Sequence, residues 1–580
     1  MRKQRLKSRT SLNQGLCFLV FGLIVVQLFR LQVLNHKIYA TKANQQQIMK
    51  STIFAKRGEI YFLDGDTPVP IVMNKKTYTI SIDPSLVVKK REEITKKIDE
   101  IVGNYRTKAS WDEVFADPER KYFVVAKNVP YRETNNLKNA DLTGVYEQET
   151  TTRVYPEGEM AAQVLGFVNQ DGEGQYGVEG SLNKELTGEN GLLKTVKDSN
   201  NVPLTIGNEN VKIPAKDGKN LVLTIDRNIQ KKAEEAVDEV TKKFNITYGS
   251  AIVMNPATGQ IMAGKPGYNP AEYAKVTDAK VFQTDATMNA FNPASVCKTF
   301  AIAAAIDSGV MTPETTYYNT DKLVIDGWPI ENSIKGHTGE VNMQTVLTYS
   351  LNTGSIQALK LLGGSASEIT YQGKEKLYDY YHNRFNLGKY TGIELPETKG
   401  TIVPPNDIDA TDARYANMTF GQSLDLSIIQ VASAFSAVVN GGEYYRPTLI
   451  AGEMKDGKFV RTELAKADHD ALNKNDTSRT MRQMLHTGRL VFPNVKSYDE
   501  DYYVGGKTGT AQTVKNGKYS FDETIGTYVG FGAKSLDETP DYVIMTKVWS
   551  DNRKLDGGIN AKPIFDEISK YMINYNKVRR

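Results

Sequence analysis

The chain has 580 residues, 40% of them hydrophobic and 24% charged, which predicts several domains with sizeable buried cores. The formal net charge is +4, but five of the 72 basic residues lie in the first nine positions (Arg2, Lys3, Arg5, Lys7 and Arg9). The remaining 67 face 68 acidic residues, so the body has no basic bias and a nucleic-acid partner is not expected.

Ser11 to Phe29 follows the basic cluster as a 19-residue stretch without a charge, containing LCFLVFGLIVVQLF. That length suits a crossing of the hydrocarbon core. The basic residues should stay cytoplasmic and send the rest of the chain outward. A cleaved signal peptide is the competing reading, but its apolar region is shorter and ends in a small-x-small site. Here the run leads into Arg30, Leu31, Gln32, Val33 and Leu34. A retained single-pass anchor is expected, with a buried soluble helix as the bland alternative. Cys17 lies in this run and Cys297 far from it, so no bridge is expected. A chain this long needs no disulfide in any compartment.

A polar, helix-like stretch occupies His36 to Lys50. From Ser51 to Ala215, β-like runs such as TYTISID (Thr77 to Asp83) and KYFVVAK (Lys121 to Lys127) alternate with charged helical stretches such as KKREEITKKIDEIV. Glycine-rich connections follow, for example Asp171 to Gly177. This predicts an α+β domain in more than one lobe. A boundary is expected at Pro214 to Gly218. A strand (LVLTID) and an amphipathic helix (Asn228 to Phe244) come next. SAIVMNPATGQIMAG reads as two strands joined by a turn at Asn255 to Gly259. Apolar helices follow at KTFAIAAAIDSG and at Leu424 to Val439, then late strands TYVGFGA and YVIMTKVW. Strands at both ends with helices between imply one sheet with helices packed on it. The expected division is 1–35, 36–215 and 216–580.

Three short elements carry chemistry. Ser295-Val296-Cys297-Lys298 opens a helix running to about Ser308. A serine there can simply cap free backbone N–H groups. The same geometry lets Lys298 reach the Ser295 hydroxyl, because residues three apart share a helix face. A serine nucleophile needs such a base, and burial or a neighbouring cation makes a neutral lysine accessible. The second element is Ser350-Leu351-Asn352, and the third is Lys507-Thr508-Gly509-Thr510. Each of the first two has decoys: Ser181-Leu182-Asn183-Lys184 repeats the first, and Ser11, Ser199 and Ser550 each begin a further S-x-N. Lys507 begins the one K-[ST]-G of the chain. Order removes the decoys, since Ser350 follows Ser295 by 55 residues and Lys507 follows Ser350 by 157.

This ordered set resembles that of the serine penicillin-recognising enzymes, and the chain as a whole resembles class B penicillin-binding proteins. Arg57-Gly58-Glu59-Ile60 with Asp64-Gly65, and Arg153-Val154-Tyr155-Pro156 with Gly166 and Gly177-Val178-Glu179, are similar to that family's signatures between anchor and catalytic domain. Thr419-Phe420-Gly421-Gln422 is similar to its loop before the helix backing the site. Three positions depart: Ala294 and Ser423 stand where the family has glycine, and the arginine expected after the aspartate of the first signature is missing.

The resemblance implies a multidomain α+β protein with one N-terminal transmembrane helix, an elongated pedestal (dimerisation-type) domain and a C-terminal α/β/α transpeptidase domain like that of serine β-lactamases. The implied activity is D,D-transpeptidation of peptidoglycan stem peptides, inhibited by β-lactam antibiotics. Ser295 is then the acylated nucleophile and Lys298 its base. Ser350 and Asn352 relay protons and orient Lys298 and the donor. Lys507, Thr508, Gly509 and Thr510 hold the substrate carboxylate, and the backbone N–H groups of Ser295 and Thr510 form the oxyanion hole. A SEDS-family glycosyltransferase and division or elongation proteins are the implied partners, at the plasma membrane with the catalytic domain outside. No metal or other cofactor is called for, because His36, His337, His382, His469 and His486 lack ligand spacing.

Cys297 reads as a small buried residue, Tyr502 and Tyr503 as packing residues, and Glu394 and Glu397 as loop residues rather than a hydrolytic base. His337 could border the cleft. Two rival functions stay open. One is a D,D-carboxypeptidase or β-lactamase of the same fold, disfavoured by about 180 residues of spacer. The other is a non-catalytic scaffold or β-lactam sensor.

Overall fold

The computed structural model describes residues 2–35, 48–117, 120–197, 203–204, 211–259, 269–463, 465–473, 475–492, 502–515 and 518–578. The chain divides into two compact units, Met1–Arg57 with Thr187–Gly218, and Gly58–Leu186 with Lys219–Arg580.

The first unit begins with helix α1 (Arg2–Phe29), prolonged through Leu34 by a wider turn. Asn13–Leu34 is long and apolar enough to cross a membrane, about 33 Å at the usual rise per residue. Its apolar side chains, from Leu16 to Leu34, are exposed on every face. That is unfavourable in water and favourable in lipid. The expected helix at His36 to Lys50 falls largely on residues outside those described. Strand Ile48–Ile53 pairs antiparallel with Gly191–Lys197, which also carries Val211–Ile213. Arg57 donates to the Thr187 hydroxyl at 2.8 Å.

Among its described residues the second unit holds two large sheets and four two-stranded ones. The first contains β1 (Ile60–Asp64), β2 (Thr67–Ile82), β3 (Phe123–Val129), β4 (Val145–Val154) and β5 (Asn220–Asp226), extended past β5 by strands Ile450–Lys455 and Lys458–Arg461. β2 is 16 residues long and pairs with β1 near its start and with β3 and β4 beyond. β5 lies parallel to β1. The strand expected just after the boundary thus completes the sheet of the preceding segment. Helix α2 (Arg91–Val102) buries Ile94, Ile98 and Val102 against Ile80, Ile82, Val125 and Val129. Its four-residue apolar spacing is what an amphipathic helix needs.

The two resembling signatures meet at one buried guanidinium. Arg153 donates through Nε to Glu179 at 2.8 Å, through Nη1 to the Asn74 side chain at 2.8 Å and through Nη2 to the Gly58 carbonyl at 2.6 Å. The side chains of Arg153 and Glu179 are 5% and 0% exposed. Burying that ion pair is tolerable only because its hydrogen-bonding groups find partners.

The second sheet has four described strands, β6 (Tyr248–Met254), β7 (Tyr503–Lys515), β8 (Lys518–Ala533) and β9 (Tyr542–Trp549), in the order β6-β9-β8-β7 and all antiparallel. The expected partner strand after the turn at Asn255 lies outside the described residues. Around the sheet run α3 (Arg227–Phe244), α4 (Lys298–Asp307), α5 (Met343–Tyr349), α6 (Asn352–Leu362), α7 (Ile428–Val439) and α8 (Lys562–Val578). Asp226 caps α3 by accepting from the N–H groups of Asn228 and Ile229. Alternate residues of each strand face opposite layers. Ala251, Val253, Tyr542 and Ile544 pack with α3 and α8, whereas Ile252, Met254, Val543 and Met545 join the core of α4 and α7. The domain is therefore α/β/α. α7 starts at Ile428 rather than Leu424 because Leu426 is bridged to Phe291, and Ser427 keeps extended backbone.

Candidate active site

Ser295 lies in a single 3₁₀ turn, Ala294–Cys297, that feeds directly into α4. Side chains three apart eclipse in such a turn, so Lys298 comes round beneath Ser295. Ala294 has φ +55°, a conformation that costs a non-glycine residue about 1 kcal/mol. Its N–H donates to the Gly421 carbonyl at 3.1 Å. A side chain at Gly421 would strike the Ala294 carbonyl at 2.1 Å, so the loop before α7 requires glycine there. Ser423 is likewise left-handed, at φ +60°. Both departures from family glycine thus keep the glycine-type backbone.

Lys298 is fully buried. Its Nζ lies 2.6 Å from Ser295 Oγ and 3.1 Å from Ser350 Oγ. Ser350 sits between α5 and α6 at φ +58°, which turns its hydroxyl back toward α4. On its other side stands Lys507 Nζ, at 2.9 Å. Lys507 is 5% exposed and also donates to the Thr508 carbonyl at 3.1 Å. One hydroxyl therefore bridges two buried amines.

That arrangement disfavours charge on both. Burial, then the Lys507 charge, holds Lys298 well below the usual lysine range. Burial lowers Lys507 to about 7, with Asp556 opposing the shift. A neutral Lys298 amine at 2.6 Å from a hydroxyl is placed to accept its proton.

Lys507 is carried by β7, held in register by β8, with Lys507 opposite Val529 and Gly509 opposite Thr527. A side chain at Gly509 would meet the Thr527 hydroxyl at 2.4 Å and the Pro293 carbonyl at 2.6 Å. The strand can press against the nucleophile turn only because Gly509 has no Cβ. Thr510 is exposed at the strand edge. Its hydroxyl bonds to Asp556, just before α8, at 3.0 Å.

Asn352 stands apart from this relay. Its amide donates to the Glu331 carbonyl at 2.7 Å. The next residue, Thr353, belongs to a buried polar cluster with Asn319 and Asn332 that pins the turn after Ser350. Neither Asn319 and Asn332, which are lone amides outside any motif, nor Asp556 carries a signal legible in the sequence.

The remaining candidates are structural. Ser181 and Lys184 of the decoy motif are exposed around short pedestal helices. Cys297 is buried, and burial pushes its thiol up. Glu394 accepts from Thr448 and the Leu449 N–H, and Glu397 from Thr391 and the Gly392 N–H, so both tie down loops. Tyr502 bonds to Asp541 and Tyr503 packs on His486. His337 packs on Tyr349, immediately before Ser350, with ring centroids 4.0 Å apart.

Residues 249–570 match the penicillin binding protein transpeptidase domain, and residues 52–223 the penicillin-binding protein dimerisation domain. The chain belongs to the penicillin-binding protein transpeptidase family. Stage V sporulation protein D of Bacillus subtilis is 29% identical, over 89% of this chain and 77% of the relative. A probable peptidoglycan D,D-transpeptidase, PbpC of Pseudomonas aeruginosa, is 27% identical over 98% and 95%. Among solved structures, penicillin-binding protein 3 of Mycobacterium tuberculosis in complex with aztreonam aligns over 91% of this chain and 98% of that one, with a TM-score of 0.66 at 21% identity.

Proposed function

We propose that the protein is a peptidoglycan D,D-transpeptidase that cross-links stem peptides through an acyl-enzyme at Ser295 and is inactivated by β-lactams. The observation that carries this reading is the buried Lys298 amine 2.6 Å from the Ser295 hydroxyl. Neutral Lys298 takes the hydroxyl proton as Oγ attacks the carbonyl of the penultimate D-alanine. The backbone N–H groups of Ser295 and Thr510 receive the developing oxyanion, a contribution of about a hundredfold or more per donor. The close packing of Gly509 on Pro293 supports that pairing. The proton then passes from Lys298 by way of Ser350 to the departing D-alanine nitrogen as the peptide bond breaks. An amine from a neighbouring stem peptide attacks the ester, gives up its proton by the reverse route and releases Ser295.

Lys507, Thr508 and Thr510 hold the donor carboxylate in this scheme, with Gly509 allowing the approach. Asn352, whose amide is held by the Glu331 carbonyl, orients the donor peptide in this scheme. We place residues 1–35 as cytoplasmic tail and anchor, 36–215 as pedestal and 216–580 as the catalytic domain outside the plasma membrane. The chemistry leaves glycan polymerisation to a separate SEDS-type glycosyltransferase working with division or elongation proteins.

Labelling with a fluorescent penicillin tests acylation. Wild type should label stably and Ser295→Ala should not label. An unlabelled wild type would sink the reading, and rapid loss of label would mark a β-lactamase. Cross-linking of a lipid-linked substrate with the polymerase partner separates transpeptidase from carboxypeptidase.

A further inference from the structure

The hairpin of β7 and β8 is gripped at two points by the chain around the nucleophile. The first is where Gly509 presses on Pro293, and there the Thr527 hydroxyl also donates to the Pro293 carbonyl at 3.4 Å. The second lies further along the hairpin, at Tyr519, which stands opposite Val514. The Tyr519 hydroxyl donates to Asn292 Oδ1 at 3.3 Å and accepts from the Ser423 N–H at 3.2 Å. Both partners belong to segments that support Ser295. Asn292 is buried three residues before it, and its amide nitrogen donates to the Leu424 carbonyl at 2.6 Å and to Asp425 at 2.8 Å. Ser423 follows closely on Gly421, whose carbonyl holds the Ala294 N–H. Among the described residues, Tyr519 is the one donor to the Asn292 amide oxygen.

From this arrangement we infer that Tyr519 is a positioning residue that clasps the hairpin to the nucleophile turn and so fixes the spacing of the Ser295 and Thr510 N–H groups. The inference rests on the transpeptidase reading, which gives the oxyanion to those two groups. Ser295 belongs to the turn and Thr510 to β7, so no single element sets their separation. Thr510 lies between the two grips, after Gly509 and before Val514. Held at Pro293 alone, this part of the strand can pivot. Held at Tyr519 as well, it cannot. Loss of the Tyr519 hydroxyl also leaves the amide oxygen of a buried residue without its donor, which loosens Asn292 and the turn that follows it. Oxyanion donors act by being preset, so they lose most from such play. Lys507 and Thr508 lie on the other side of Gly509 and keep their place.

The test uses the detergent-solubilised full chain with two donors, a penicillin and an acyl-D-alanyl thioglycolate. Rapid-quench acylation over a range of concentrations separates the dissociation constant of the first complex from the limiting acylation rate. Tyr519→Phe should lower the limiting rate about three- to tenfold for both donors and leave the dissociation constants within roughly twofold. The thermal midpoint should move by no more than about 3 °C, since two hydrogen bonds are a small part of a domain this size. Tyr519→Leu, which removes the ring as well, should lower the limiting rate by the same factor. An unchanged limiting rate in Tyr519→Phe, or a loss that falls on the dissociation constants, would overturn the inference. So would a fall in Tyr519→Leu alone, which would mark ring packing as the cause. If wild type were acylated at Ser295 and Tyr519→Phe matched it, only this inference would fail. If neither donor acylated wild type, the transpeptidase reading would fall with it.

Discussion

The pedestal and the catalytic domain both bury charge, and they do so in opposite ways. At the pedestal, Arg153 meets Glu179, Asn74 and the Gly58 carbonyl, so its cation is matched by an anion and two further acceptors. At the active site, Lys298 and Lys507 are buried to the same degree and share the neutral hydroxyl of Ser350. Among the described residues, neither lysine has a carboxylate within ion-pair distance. The first arrangement holds chain segments together. The second raises the free energy of the charged lysines and makes a neutral amine available as a base. Matched burial serves architecture, and unmatched burial serves reactivity.

The largest effects should therefore fall on different properties in the two regions. Lys298→Met removes the base together with a buried amine that has no anionic partner within ion-pair distance among the described residues. Acylation by penicillin should drop about 10³-fold or more, while the thermal midpoint stays level or rises. A large loss of stability would break the comparison, because it would mean that the site lysine is structural. Glu179→Gln leaves the Arg153 cation buried without its anion. The cost should approach 3–5 kcal/mol in denaturant unfolding, and the fraction that remains folded should acylate at the wild-type rate.

This contrast also explains what was legible in the sequence. Ser295, Lys298, Ser350 and Lys507 could be found because their chemistry fixes residue type and local spacing, and their order along the chain removed the decoys. Arg153 and Glu179 were visible only as fragments of a resemblance, since the contact that unites them spans 26 residues. Secondary structure was readable where the apolar period was strong, as in α2, α3 and β9. The pairing of β5 with β1 was not, because register across about 160 residues is set by tertiary packing rather than local pattern. Motif alone places Asn352 in the Lys298 relay, and its contact with the Glu331 carbonyl, made from the start of α6, is not legible in the sequence.

Titration sharpens the comparison further. Lys507 has a folded pKa of about 7, below the ordinary lysine value near 10.4. Between those values the unfolded chain binds one more proton than the folded chain at this residue. Stability should therefore rise with pH from about 7 toward 10, and unfolding midpoints across that window measure the slope. Lys298 contributes a slope of the same sign over that window, so Lys507→Met should lessen the slope without abolishing it. Acylation should move the other way above about pH 7, as the Lys507 proton that faces the donor carboxylate is lost. At lower pH it should fall as Lys298 gains a proton, giving a bell-shaped profile. A profile flat from pH 6 to 9 would contradict the coupled-lysine site.

The smallest effect concerns the backbone under the nucleophile. Ala294 holds a left-handed conformation at φ +55°, with its methyl group buried. Ala294→Gly relieves about 1 kcal/mol of strain and gives up about 0.8 kcal/mol of methyl burial, so the net change should lie near zero. The same substitution at Ala301, buried in the middle of α4, has no strain to relieve. There the lost helix propensity adds to the lost methyl, for about 1.5–2 kcal/mol in all. Denaturation of the two variants side by side isolates the strain term. A loss of about 0.8 kcal/mol at Ala294, the methyl term alone, would show that the turn before Ser295 carries no strain. In that case alanine would serve there as well as glycine, and the chain's departure from its family would be neutral.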